Sequence, residues 1–171
     1  MAPRMGQGGG ESGTVVVVDG ASSVVVDTRA WPVVIATWFG EPTEALVERY
    51  FAVHGEVVDR ARASRTRFVL ITDTFATGAP SPKARKRIVD LTAAQAPDVA
   101  ALTVRSFVVI ESMLMRGVVT ALAWVYPKMA ESENVATITI ALERAFAELD
   151  AARVARPVGM TPRDYRRPAR P

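Results

Sequence analysis

From residue 33 onward, four short apolar runs (33–39, 68–72, 104–110 and 134–140) alternate with longer stretches of helical character. That alternation restricts the chain to a largely parallel sheet whose strands are joined by right-handed helical crossovers. The helical stretches are recognised by their periodicity. Between residues 42 and 62, Leu46, Val47, Tyr50, Val57, Val58 and Ala61 recur at three- and four-residue spacings among Glu44, Glu48, Arg49 and Asp59, so one face of a helix is apolar. A second helix is expected to open at Ser81-Pro82, as N-cap and first helical residue, and to end by Ala96-Pro97. A third runs from Ser112 to Tyr126 with Pro127 as its stop, and a fourth covers 141–154.

Ahead of this lies a different signal. Residues 14–18 and 23–27 are β-branched runs around Asp19-Gly20, the dipeptide that favours a hairpin turn. The expected fold class is therefore α/β: a mixed, mostly parallel sheet with an N-terminal antiparallel hairpin and four helices. The domain spans 14–154. Residues 1–13 are glycine-rich and 155–171 are rich in arginine and proline, so both are expected to be disordered.

Composition then narrows the chemistry. The chain has one His and no Cys, which removes disulfides, thiol nucleophiles and cysteine-based metal sites. Neither a glycine-rich phosphate loop nor a metal-ligand spacing is present, so no cofactor is expected and the chain reads as non-catalytic. No apolar signal segment opens the sequence, and the apolar stretch 106–126 is broken by Glu111, Arg116 and Gly117, so a cytoplasmic protein without a membrane span is expected. Charge is uneven. From residue 151 on, six arginines face one aspartate, giving +5 against +3 for the whole chain and leaving the body at −2. Such a tail suits an anionic partner or a purely solubilising role.

Candidate binding residues gather where strands end. Asp73-Thr74 and Glu111-Ser112 should lie along the carboxyl edge of the sheet, where α/β proteins bind ligands, together with Thr77 and Ser81. Ser81 and Ser112 read equally as helix caps, and Asp73 as a turn acceptor. Asp73 and Glu111 also offer a weaker acid–base reading. Arg116 is the lone charge of the third helix and must reach solvent, a ligand anion or Glu111. Met113, Met115, Trp124 and Tyr126 make that helix apolar nearly all round, which predicts a face covered by a protein partner or a second copy. Lys83, Arg85, Lys86 and Arg87 crowd the start of the second helix, either as a solvated face or toward an acidic partner.

The hairpin followed by αβαβαβα resembles the STAS fold of anti-sigma-factor antagonists. More narrowly, Trp31-Pro32-Val33-Val34, the run Lys83 to Arg87, and Phe107-Val108-Val109-Ile110-Glu111-Ser112 leading to Arg116-Gly117 and Trp124 look like a bacterial branch of STAS-like proteins, sometimes grouped with CRAL-TRIO-type lipid-exchange domains. The likeness covers roughly residues 23–152 and implies a regulatory or protein-interaction module. In those antagonists a serine of an Asp-Ser-Ser-Gly-like turn is phosphorylated. Here the turn reads Asp73-Thr74-Phe75-Ala76-Thr77-Gly78-Ala79-Pro80-Ser81, with no residue that matches that serine. The alternative is a small-ligand domain, for a lipid or a nucleotide, using the carboxyl edge of the sheet.

Overall fold

The structure, a computed structural model, describes residues 13–125 and 131–171. It contains ten elements in the order β1 (Thr14–Asp19), β2 (Ser22–Asp27), β3 (Val33–Gly40), α1 (Glu44–Ser64), β4 (Phe68–Thr77), α2 (Pro82–Leu102), β5 (Thr103–Val109), α3 (Met113–Val125), β6 (Glu133–Val135) and α4 (Ile138–Ala151). The strands form one sheet in sequence order. β1, β2 and β3 pair antiparallel, and β3 through β6 pair parallel. The expected α/β architecture is therefore present, hairpin included. Gly20 takes the positive φ of 59° that so tight a turn demands.

Both faces of the sheet are covered, and the period-two alternation of strands sorts the core into two layers. Val34, Ala36 and Trp38 of β3 join Val24, Val26 and Phe68 against Leu46, Val47, Tyr50 and Val57 of α1. Val33 and Ile35 face the other way, joining Val69, Ile71, Phe107 and Val109 against Ala141, Leu142, Ala145, Phe146 and Leu149 of α4. The helices α1 and α2 thus lie on one side of the sheet and α4 on the other.

Four boundaries depart from the sequence reading. β4 continues past Thr72 to Thr77, because β3 also continues, through a bulge between Thr37 and Phe39, and supplies Phe39 and Gly40 as partners for Ala76 and Thr77. The helix α2 runs through Pro97 to Leu102 rather than ending before it. Proline removes one amide from the ladder, but Val99 and Leu102 beyond it pack on the α1-side core. The run 134–140 is mostly not strand. β6 has three residues, and Thr137 accepts a hydrogen bond from the Ile140 amide at 3.2 Å to start α4, drawing the β-branched Ile138, Thr139 and Ile140 into its first turn.

The fourth departure is the tail. Residues 155–171, expected to be a mobile extension, lie without regular structure against the α4 side of the sheet, where Met160 and Tyr165 pack on the core. Composition conceals this, since two anchoring side chains in a polar segment do not change its average. Residues 1–12, and Tyr126 with the stop expected at Pro127, lie outside the described residues.

Candidate functional site

The parallel pairing of β4 with β5 sets Asp73 opposite Val109, the last residue of its strand, and Glu111 follows just beyond. Both carboxylates therefore stand at the carboxyl edge, as the sequence predicts. The Asp73 side chain is fully buried on the α4 side, and burial pushes its carboxyl group up from the ordinary range against the pull of Arg167. Arg167 of the tail grips it with a two-pronged contact, Nε to Oδ2 at 2.7 Å and Nη2 to Oδ1 at 3.2 Å, and Nη2 also donates to Glu111 Oε1 at 2.5 Å. The guanidinium lies over the ring of Phe75, 4.1 Å from its centroid. Asp73 Oδ1 further accepts from the Phe75 amide. Arg167 is thus the counter-ion of a buried carboxylate 94 residues away in sequence.

Other predicted residues resolve into plainer roles. Ser81 is the N-cap of α2, accepting from the Ala84 amide at 3.2 Å, and the Ser112 hydroxyl accepts from the Met115 amide at 3.4 Å. Thr74 donates to the carbonyl of Val109 at 2.6 Å and Thr77 to that of Trp38 at 3.2 Å, so these hydroxyls tie β4 to its neighbours. Arg116 does not pair with Glu111, whose partner is Arg167; it is exposed to solvent, which satisfies its charge without a carboxylate. In the basic run, Lys86 pairs with Asp90 and Arg87 with Glu48, while Lys83 is exposed and Arg85 half-buried. The expected interface set divides: Met115 is buried inward, whereas Met113 and Trp124 are 78% and 84% exposed on the outer side of α3.

The opposite face of the sheet carries a cleft of about 450 Å³ between the strands below and α1, α2 and α3 above. Its floor includes Trp38, Leu70, Thr72, Thr74 and Val108, and its helical walls include Tyr50, Phe51, Ile88, Ala96, Val99, Met115 and Leu122. Arg105 and Glu131 are its charged lining residues. The remaining polarity is neutral, including that of the chain's one histidine. Gln95 Nε2 donates to the carbonyl of Phe51 at 2.9 Å, which turns Gln95 Oε1 toward His54 Nδ1 at 2.8 Å and places the proton on Nδ1. Burial lowers the His54 pKa, against the upward pull of the Gln95 hydrogen bond, so the ring is uncharged at neutral pH.

Sequence reasoning missed Arg167, Phe75, Tyr165 and the cavity. One signal was legible: a carboxylate in an otherwise apolar strand requires a cation from somewhere. The cavity has no such signature, because its walls are ordinary core residues. Among the described residues no helix is long and apolar enough to cross a membrane, and no three acidic or histidine side chains converge as a metal site. No protein-family model matches the chain, and no curated protein matches its sequence.

Proposed function

We propose that this chain is a non-catalytic module of STAS-like kind that holds a small, largely apolar molecule in the cavity between its sheet and the helices α1, α2 and α3. The supporting observation is the cavity itself: about 450 Å³, apolar on most of its wall, with threonines, Gln95 and His54 as neutral polar points and Arg105 and Glu131 as its charged ones. That volume falls in the range of roughly 300–1,000 Å³ usual for small-molecule sites. A wall with so little positive charge favours the lipid-like member of the alternative over a nucleotide, whose phosphates need clustered amides or cations. The site is on the sheet face rather than at the Asp73–Glu111 edge.

The test uses N-phenyl-1-naphthylamine, an uncharged apolar fluorophore, with a long-chain alcohol as competitor. Saturable one-to-one binding is expected, and Ala96→Phe, which grows a ring into the cavity, should weaken it about tenfold or more, equivalent to at least about 1.4 kcal/mol. Binding that Ala96→Phe leaves unchanged, with the fold intact by circular dichroism, refutes the proposal.

The outer stripe of α3 supports a second reading, that of a regulatory interaction module. Met113, Arg116, Gly117, Thr120, Ala121 and Trp124 line a shallow depression on its solvent side, and the two large apolar members are mostly exposed. A protein partner or a second copy would cover it. Trp124→Glu then abolishes that association without unfolding the chain.

A further inference from the structure

We propose that the carboxyl edge between β4 and β5 is a guanidinium-recognition site for an arginine-bearing peptide segment, and that the chain's own residues 160–171 occupy it as a displaceable strap. The receptor half belongs entirely to the folded body. Asp73 is fixed within β4, Phe75 lies two residues on, and Glu111 follows β5. Two carboxylates and an aromatic face form a cradle for a flat, delocalised cation. The fork of Arg167 uses Nε and Nη2 on Asp73 while Nη2 also reaches Glu111, and its plane covers the Phe75 ring. A lysine ammonium, a compact point charge, cannot reproduce that combination.

The demand for a cation is built in. With the strap seated Asp73 is 0% exposed, and among the described residues its ion-pair partner is Arg167. Leaving such a carboxylate unpaired is strongly unfavourable, so the edge selects positive charge whether it arrives from this chain or another.

The strap, by contrast, is held at a few points. Met160 and Tyr165 pack on the core, Arg167 fills the cradle, and Arg170 donates to the carbonyl of Ala21. No residue of the segment joins a strand. A tethered segment has an effective concentration in the millimolar range for a short linker, so a modest intrinsic affinity keeps it seated. The same modest affinity leaves it open to displacement.

The experiment uses the full chain and a fluorescein-labelled peptide with the sequence of residues 160–171, read by anisotropy. Arg167→Ala takes the cationic anchor from the resident strap, and this variant should bind the peptide about tenfold or more tightly than the wild type, whose own tail competes. Adding Asp73→Asn to that variant should abolish binding. So should alanine in place of Arg167 in the peptide, which still keeps its other three arginines and so separates recognition from bulk charge. Equal affinity of wild type and Arg167→Ala, or undiminished binding of the alanine peptide, overturns the proposal. Should the Asp73 variant fail to fold, Arg167→Ala with Glu111→Gln serves instead, since Glu111 is 40% exposed; several-fold weaker binding supports the cradle and unchanged binding overturns it.

Discussion

Asp73 and His54 are buried ionisable side chains with opposite solutions to the cost of burial: the carboxylate is matched by Arg167, whereas the imidazole stays neutral and hydrogen-bonds Gln95. The second arrangement has a pH signature. Because burial lowers the folded-state pKa of His54 below its ordinary 6.5, the unfolded chain binds the proton more readily, and stability falls as pH drops through about 6.5 toward the folded value. With one histidine in the chain, that slope is assignable. Urea unfolding should show lower stability at about pH 5.5 than at pH 7.5, and His54→Phe should flatten the difference even while losing the Gln95 contact. An unchanged slope in the variant refutes the assignment. Asp73 acts in the opposite sense at lower pH, since a raised carboxyl pKa means that the folded state gains the proton first. Ser81 is simpler. Its hydroxyl caps α2, so Ser81→Ala should cost about 1 kcal/mol in the same assay and leave probe binding in the cavity intact.

At the scale of elements, legibility in the sequence followed how local the cause is. The hairpin at Asp19-Gly20, the amphipathic α1 and the cap of α2 at Ser81 were readable, because turn chemistry, periodicity and capping act within a few residues. The extension of β4 to Thr77 was not, because it depends on a bulge in β3 and on partners 37 positions earlier in the register. Ile138, Thr139 and Ile140 look like strand by composition, yet the cap at Thr137 and packing of Ile138 and Ile140 against the α4-side core override propensity. Helix α3 shows the same limit. An all-round apolar sequence cannot say which side meets the sheet, and the structure turns Met115 and Leu122 inward and Met113 and Trp124 outward. Met115→Ala should therefore lower stability by about 2 kcal/mol, the lower end of the usual range because the residue borders a cavity. Trp124→Ser should stay within about 0.5 kcal/mol. Equal losses in denaturant unfolding would contradict this orientation.

For the whole molecule, the tail joins the two ends of the argument about charge. The −2 body and +5 tail suggest a general attraction, but the structure concentrates it in one contact, where a single guanidinium meets a buried carboxylate. The other arginines of the segment are spread over Asp150, local carbonyls and the carbonyl of Ala21 or left in solvent. The Asp73 half of this site was visible in the sequence, and Arg167 was not, because six arginines among prolines give no order of importance until one of them is matched to a pocket. A double-mutant cycle tests whether that match carries the tail's contribution to stability. Arg167→Ala takes the counter-ion from a carboxylate that is 0% exposed with the tail seated and should cost stability, while Asp73→Asn removes the charge that needed a partner. The double variant should consequently be more stable than the sum of the single losses implies, with a coupling of about 1–3 kcal/mol. The coupling should shrink only slightly at high salt, since the carboxylate is buried and the Arg167 side chain is 24% exposed, whereas a loose electrostatic association of tail and body would be screened away. Additive losses, or a coupling that vanishes with salt, would mean that the tail rests on the body without being held by Asp73.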